Sequence, residues 1–241
     1  MTSFSEEWRL LKLGIVDYET AHDLQKKILQ ERIDGKCPDH LILLQHNPVI
    51  TVGRSGDNNN ILAPKALLES FGISVHEIER GGDVTYHGPG QLTGYPIVDL
   101  RNYKKDVHWY LRQLEEVIIR VLVEYGIIGE RVEKYTGVWV GDEKIAAIGV
   151  AVKRWVTYHG FAFNVNPDLS HFKLINPCGI TDKEVTSLVK ILGYNVSMEE
   201  VEDRIIYAFM DVFHVIPLVS SLVDMASELI TKYGRTRHLI S

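Results

Sequence analysis

The sequence has few cysteines, no long hydrophobic run and no excess of positive charge. Its 241 residues include two cysteines, Cys37 and Cys178, in unrelated contexts, so neither a disulfide framework nor a cysteine metal site is expected. No apolar run reaches the ~18 residues that a membrane span needs. The net charge of −6 argues against a nucleic-acid partner, although a local basic patch remains compatible with it.

The first residues of the sequence do not show the pattern of a secretory signal. The first ten residues, MTSFSEEWRL, lack a basic region followed by an apolar stretch, so a secretory signal is not expected. Together with the low cysteine content, this predicts a protein of the reducing cytoplasm. With 45% hydrophobic and 24% charged residues and no repeat or linker, residues 1–241 are predicted to form one domain.

Several common catalytic motifs do not occur. There is no GxxxxGK[ST] phosphate loop, and no GxGxxG follows a strand. No HExxH or paired His/Cys spacing is present, so no metal is expected. The stretch GRSG (53–56) is not the GxSxG of a serine hydrolase.

Helices are predicted near both ends of the chain. The longest runs from Asp106 to Tyr125 and is closed by Gly126, with its apolar residues on one stripe. Further helices are expected after Asp17, after Pro64, after the pairs Thr181/Glu184 and Ser197/Glu200, and over 221–233.

Strands are predicted in the middle of the chain. They cover residues 40–45, 49–52, 73–78, 94–100 and 155–165, with a hairpin over 137–152 that turns at Gly141-Asp142. Because strands cluster centrally and helices flank them, the pattern favours an α+β fold over alternating βαβ units.

The segment RGGDVTYHGPGQ (80–91) contains four glycines beside Tyr86 and His87. Glycine is unfavourable unless the chain turns tightly or another group approaches the main chain closely. The segment therefore indicates a loop that binds a ligand or makes a rigid turn. Arg80 is compatible with pairing to a carboxylate or phosphate, and equally with a solvated side chain beside Glu79.

Cys178 lies between Pro177 and Gly179, which predict a constrained turn able to present a thiol. An inert, buried cysteine is an equal alternative, and Cys37 is interpreted as such a residue. Lys144 begins the run KIAAIGVAV, where alternation predicts one face of Lys144, Ala146, Ile148 and Val150. An ammonium ~4 Å from a thiol stabilises the thiolate by ~1–4 kcal/mol. His87 and His159 are rival bases, for which a structural role is favoured.

Four stretches resemble the lipoyl(octanoyl) transferases in order and spacing. They are RGGDVTYHGPGQLTGYP (80–96), KIAAIGV (144–150), HGFAFNVNPDLSHF (159–172) and INPCGI (175–180). The resemblance extends from about Leu41 to Ile180. The chain departs from the family pattern at Thr93, Phe161 and Phe163, where we expect a reshaped acyl pocket.

The resemblance implies a biotin/lipoate protein ligase-like fold, a mixed β-sheet flanked by helices. It implies octanoyl transfer from octanoyl-acyl carrier protein to a lysine of lipoyl domains, in 2-oxoacid dehydrogenase E2 subunits and the glycine cleavage H protein, without a cofactor. By position, Cys178 becomes the acyl-thioester nucleophile and Lys144 the residue that lowers its pKa. The implied substrate site comprises Arg80, Gly81, Gly82, Asp83, Val84, Thr85, Tyr86, His87, Ala147, Ile148, Gly149, Gly160, Phe161 and Ala162.

Glycines 81, 82, 88 and 90 are then expected to expose main-chain N–H groups to the oxyanion. Docking of acidic partners is expected to use Arg80, Lys104, Lys105, Lys153 and Arg154. Two alternatives remain open: an ATP-dependent lipoate ligase, and a non-catalytic module that binds acylated carrier protein.

Overall fold

The computed structural model describes residues 7–133, 135–176 and 184–218. The strands are β1 (Glu7–Val16), β2 (His40–His46), β3 (Val49–Val52), β4 (Ser74–Glu77), β5 (Val84–His87), β6 (Gln91–Ile97), β7 (Glu130–Val132), β8 (Tyr135–Val140), β9 (Glu143–Lys153), β10 (Val156–Asn164), β11 (Glu184–Val185) and β12 (Ile216–Leu218). The helices are α1 (Tyr18–Ile33), α2 (Lys65–Ser70), α3 (Val107–Glu124), α4 (Leu188–Leu192) and α5 (Met198–Phe213).

Within those ranges, the strands form two sheets. Nine belong to a mixed sheet in the order β12–β1–β2–β6–β10–β9–β8–β7, with β11 beside β9. The parallel pairs are β1–β12, β1–β2 and β9–β11, and the other pairs are antiparallel. The second sheet has the order β4–β3–β5. The predicted α+β class is confirmed.

Both faces of the large sheet are covered. Along β2, Leu41 and Leu43 pack in the main core with residues of α3 and α5, whereas Ile42 and Leu44 pack in a second core with residues of α1. Successive side chains of a strand point to opposite faces, so α1 lies on one face of the sheet and α3 with α5 on the other. No helix within the described ranges has the length and apolarity to cross a membrane.

The predicted helix over 106–125 is confirmed by its caps. The Asp106 carboxylate accepts a hydrogen bond from the Trp109 backbone N–H at 3.0 Å, and Gly126 follows the helix with φ of +70°. The Ser197 cap of α5 is confirmed as well, since its hydroxyl accepts from the Glu200 N–H. The hairpin prediction is confirmed by the pairing of β8 with β9.

Other predictions of local structure are wrong. Glu184 lies in β11 instead of a capping box, and α4 begins only after Ser187, whose hydroxyl accepts from the Lys190 N–H. Thr181 and the predicted helix over 221–233 lie outside the described residues. The carboxylate of Asp17 precedes α1 as expected, but it accepts from Asn47 and does not cap the helix.

The glycine-containing segment is not one loop. Residues 84–87 form β5, which pairs antiparallel with β3 and is buried along its whole length. Glycines therefore flank a strand of the small sheet.

Candidate active site

A pocket of about 550 Å³, its open mouth included, lies between the two sheets. It is lined by Tyr18, Ile78, Arg80, Gly81, Gly82, Thr85, His87, Thr93, Tyr95, Thr136, Lys144, Ala147, Ile148, Gly149, His159, Gly160, Phe161 and Ala162.

The floor of the pocket is a strip of very small side chains. In the β9–β10 ladder, Gly149 is directly opposite Gly160 and Ala147 is directly opposite Ala162. Residues directly opposite each other in an antiparallel pair share one face of the sheet. The two segments that the resemblance implies, 147–149 and 160–162, are thus brought together by strand register. Their small side chains leave an apolar floor without filling the pocket.

A bulge in β9 moves Lys144 onto the pocket face. Trp139 pairs with Lys144 and Val138 with Ala146, so Ile145 is an extra residue that no residue of β8 opposes. Ile145 and Ala146 both pack in the main core. The predicted face of Lys144 and Ala146 is therefore wrong, and Lys144 instead joins Ala147 beside the pocket.

Lys144 is nearly buried, with 9% of its surface exposed. Its Nζ lies 4.9 Å from the centre of the Trp139 ring. A second space of about 330 Å³ adjoins the first and shares Thr85, Lys144, Ala147 and Ala162 with it. The amine-bearing side chain therefore borders both parts of the cavity.

Arg80 is buried in the pocket wall. Its Nη2 donates to the Thr51 carbonyl and the Asp83 carbonyl, each at 2.7 Å, and its Nε donates to Thr51 Oγ1 at 3.2 Å. The interpretation of Arg80 as a solvated side chain is wrong, and burial also removes it from the predicted docking set. These contacts join the segment before β5 to β3, so Arg80 orders the wall of the pocket.

The predicted residues of β5 divide between two faces. Thr85 and His87 line the pocket, whereas Val84 and Tyr86 pack in the small core with Phe172. The Tyr86 hydroxyl also hydrogen-bonds His171 Nδ1 at 2.8 Å.

Asp83 also lies outside the lining of the pocket. Its two carboxylate oxygens accept from the Asp57 N–H and the Asn60 side chain. Strand alternation places Val84 and Tyr86 outside the lining of the pocket, and Asp83, which precedes the strand, is held away from it by these hydrogen bonds.

Two glycine N–H groups of this segment already have partners. The Gly81 N–H donates to the Val150 carbonyl at 2.9 Å, and the Gly90 N–H donates to the Gln45 side chain at 2.8 Å. The expectation that these two groups stabilise an oxyanion is therefore wrong. Gly90 has φ of +85°, and a Cβ there would lie 2.4 Å from the Asn166 carbonyl oxygen, so backbone packing explains this glycine.

Both rival histidines are held neutral at physiological pH. Burial, together with nearby His46 and Arg80, lowers the pKa of His87 to about 3. Burial and the neighbouring His22 and Arg80 lower the pKa of His159 to about 2. His87 Nδ1 is 2.8 Å from Gln91 Oε1, which accepts only, so this nitrogen carries the proton.

Several pocket residues carried no signal of their own in the sequence. Tyr95, in the strand after the glycines, contacts His46 Nε2 through its hydroxyl at 2.6 Å, and Tyr18 enters from the start of α1. Thr93, one of the departures from the family pattern, lines the pocket, where we expect it to change the shape of the acyl site. Phe161 also belongs to the lining, but it packs in the main core as Phe163 does, and its ring stacks on Phe209.

The structure describes Cys37 but not Cys178. Cys37 is half-buried, packs against the α1 core and contacts the Ile28 carbonyl at 3.8 Å, as expected of a structural residue. Cys178 lies outside the described residues. The described chain stops at Asn176 and resumes at Glu184, one residue before Val185 pairs with Lys144.

Comparison with known proteins agrees with this architecture. Residues 17–210 match the family described as lipoyl protein ligase A/B catalytic domain. An octanoyltransferase of Desulforamulus reducens is 53% identical over 203 residues, which cover 84% of this chain and 89% of that protein.

Two solved structures share the fold. A bipartite lipoate protein ligase of Thermoplasma acidophilum has a TM-score of 0.71 at 20% identity, over 95% of this chain and 93% of that one. A biotin protein ligase of Aquifex aeolicus has a TM-score of 0.51 at 12% identity, over 87% and 71% of the two chains. The biotin/lipoate protein ligase-like fold is confirmed, and the chain belongs to the lipoyl protein ligase A/B catalytic-domain family and, within it, to the octanoyltransferases.

Proposed function

We propose that this chain transfers an octanoyl group from octanoyl-acyl carrier protein to a lysine of lipoyl domains through a thioester on Cys178, the first step of endogenous lipoate biosynthesis. The acceptors are the lipoyl domains of 2-oxoacid dehydrogenase E2 subunits and the glycine cleavage H protein. The observation that carries the proposal is the apolar strip of Ala147, Ala162, Gly149 and Gly160, which leads to the buried amine of Lys144.

The strip suits a straight acyl chain. The methyl groups of the paired Ala147 and Ala162 leave room for methylene groups beside the β9–β10 ladder, whereas the Gly81 and Gly94 carbonyl groups pack closely against Gly149 and Gly160. An octanoyl chain buries roughly seven CH₂ or CH₃ units, each stabilised by ~0.8 kcal/mol. Burial of this size makes chain length a criterion for selection.

Lys144 is the group we assign to the activation of the thiol. An ordinary thiol is only a few per cent thiolate at pH 7, whereas an ammonium ~4 Å away stabilises the anion by ~1–4 kcal/mol. The covalent connection supports this assignment, because the segment that contains Cys178 leads into Val185, the partner of Lys144 in the β9–β11 ladder.

The reaction proceeds as two acyl exchanges. The Cys178 thiolate attacks the octanoyl carbonyl carbon, the bond to the carrier sulfur breaks, and the carrier leaves as a thiol with the proton that the Lys144 ammonium gives up. The neutral amine of the acceptor lysine then attacks the Cys178 thioester, an amide bond forms, and the Cys178 thiolate is released. One thioester replaces another in the first step and an amide replaces a thioester in the second, so no nucleotide is needed.

The acceptor lysine has to lose a proton before or during its attack. His87 is a poor base for this step, because burial lowers its pKa to about 3. Lys144 borders the pocket and is neutral once its proton has gone to the carrier thiol. We assign this proton transfer to Lys144, which takes up the proton in its neutral form.

Partner docking is assigned to an exposed basic surface formed by Lys104, Lys105, Lys153 and Arg154. The two stretches adjoin because the Leu100 N–H donates to the Trp155 carbonyl at 2.8 Å. Carrier proteins and lipoyl domains are commonly acidic, so this surface favours their approach. We place the reaction in the cytoplasm, in keeping with the low cysteine content.

A transfer assay without ATP separates the three functions. The chain is incubated with octanoyl-carrier protein and a lipoyl domain, and the mass of the lipoyl domain is followed. The proposal predicts octanoylation without nucleotide. An ATP-dependent ligase would modify the domain only with ATP and free octanoate, and a binding module would retain the carrier without turnover. Either of these outcomes contradicts the proposal.

A further inference from the structure

Three potential metal ligands from distant parts of the chain meet beside the pocket. His22 is on α1, Glu79 lies between β4 and β5, and His159 is on β10. Their ligand atoms all lie within 4.8 Å of one another. Glu79 Oε2 is 3.0 Å from His22 Nε2 and 3.8 Å from His159 Nε2. The two imidazole rings stack with their centres 5.3 Å apart.

His159 is turned toward this cluster and is unsatisfied there. The residue is 2% exposed, and its Nε2 has no hydrogen-bond partner among the described residues. Buried polar atoms of proteins almost always have a partner, so an orphaned ring nitrogen calls for one. Its backbone has φ of +57°, a left-handed conformation that is unusual for a residue within a strand. The Gln25 side chain accepts from the His159 N–H and helps to hold it.

We propose that His22, Glu79 and His159 bind one divalent ion of the zinc class, with a fourth position open to solvent. Two imidazole nitrogens and one carboxylate oxygen are a donor set that zinc uses, at ~2.0–2.2 Å from the ion. Such bonds in a tetrahedral arrangement set neighbouring ligand atoms roughly 3.4 Å apart. The observed 3.0 and 3.8 Å lie on either side of that separation. His22 is half-buried, so one side of the site borders solvent.

Lys26 is the neighbour that opposes a bound cation. It lies one turn beyond His22 on α1, and its Nζ is 3.6 Å from Glu79 Oε1. Removal of this ammonium should strengthen metal binding, whereas removal of a ligand should weaken it. A bound ion would link α1, the segment before β5 and β10 at the edge of the acyl pocket, and so stabilise its wall.

Zinc titration of the full chain tests the site. The assay uses Cys178→Ala protein freed of metal by a chelator, because a thiol is itself a zinc ligand, and a chromophoric competitor reports the Kd for Zn²⁺. We expect one Zn²⁺ per chain, affinity at least tenfold weaker in H22A and in E79Q, and tighter binding in K26A. His108→Ala removes an exposed histidine on α3 and is the matched control, with unchanged affinity.

Co²⁺ substitution supplies a second measurement. A His₂Glu site with near-tetrahedral geometry should give intense visible absorption in the Cys178→Ala protein, and H22A should lose it. Circular dichroism checks that each variant is folded, and His22→Gln replaces H22A if that variant is not. The proposal is overturned if the protein binds no stoichiometric Zn²⁺. It is also overturned if folded E79Q and the folded His22 variant bind Zn²⁺ as tightly as their parent protein.

Discussion

The Nζ of Lys144 lies 4.9 Å from the centre of the Trp139 ring, and the two residues are directly paired across the β8–β9 hairpin. An ammonium over an indole face is stabilised by ~0.5–2 kcal/mol, depending on its exposure to solvent. Lys144 is almost buried, so this contact holds its side chain at the pocket.

Removal of that charge should change the reactivity of Cys178. In a Cys37→Ala background, which leaves one thiol, we expect Lys144→Ala to shift the pH midpoint of alkylation upward by about one to three units. The rate of reaction with iodoacetamide across pH 5–10 measures the shift. Lys153→Ala, an exposed lysine at the end of the same strand, should leave the profile unchanged. A K144A profile that matches wild type would remove Lys144 from this role.

The glycine floor makes a steric prediction. A Cβ at Gly160 would lie 2.2 Å from the Gly94 carbonyl oxygen, and backbone cannot rotate away as a side chain would. We expect G160A to destabilise the protein by ~1–3 kcal/mol and to lower the rate of octanoyl transfer. Urea unfolding provides the measurement. G81A is the control for stability, because its Cβ would meet only the Val150 carbonyl oxygen, at 3.4 Å. Equal stabilities of G160A and G81A would contradict the described register.

Burial of His40 predicts a loss of stability in acid. Desolvation is the main cause that lowers the pKa of His40 to about 4, against an ordinary value of 6.5. Between these values the unfolded chain binds a proton that the folded chain does not, so stability is complete above pH 6.5 and falls toward pH 4. From pH 7.5 to pH 5, His40 should account for about 2 kcal/mol of the decrease in unfolding free energy.

The variant His40→Gln isolates this contribution. Chemical denaturation at pH 7.5 and pH 5 measures the unfolding free energy of H40Q and of wild type. The decrease in this free energy should be smaller in H40Q, and the difference should equal the contribution of His40 given above. The exposed His108 on α3 offers the matched control, and His108→Gln should follow the wild-type pH dependence. A decrease of the same size in H40Q and wild type would show that His40 is not the source.

The basic surface makes a prediction about ionic strength. The double variant Lys153→Ala/Arg154→Ala should lower kcat/KM for octanoyl-carrier protein by roughly three- to tenfold at low salt, with a smaller effect at 0.5 M NaCl because salt screens exposed charges. Steady-state kinetics at both salt concentrations provide the comparison. Lys65→Ala removes an exposed lysine on α2 and should have no effect. Salt-independent kinetics of the wild-type chain would rule out electrostatic docking.

Local signals predicted most of the secondary structure but not its register. The cap of α3 and the turn at Gly141-Asp142 are encoded by neighbouring residues, and both are confirmed. The bulge at Ile145 depends on the packing of Ile145 and Ala146 in the same core, which alternation along one strand does not reveal. The side of the sheet on which Lys144 lies therefore required the structure.

Strands with irregular patterns were missed for related reasons. The register of β1 shifts between Lys12 and Ile15, near Gly14 with φ of +65°, and this breaks the alternation by which strands are predicted. In 84–87, the surrounding glycines conceal a strand of four buried residues.

The family resemblance and the strand register together define the candidate site. The resemblance implies the segments 147–149 and 160–162, and the antiparallel ladder explains why they form one floor. His22, Glu79 and His159 have no motif spacing, since three separate elements supply them, so the expectation of no metal rested on sequence spacing alone.

The most direct test of the account is the mass of the chain after incubation with octanoyl-carrier protein in the absence of an acceptor. We predict that wild type gains one octanoyl group, that peptide mapping places it on Cys178, and that Cys178→Ala gains none while Cys37→Ala behaves like wild type. An adduct of the same mass on Cys178→Ala, or transfer to a lipoyl domain by that variant at the wild-type rate, would contradict the proposed acyl-enzyme.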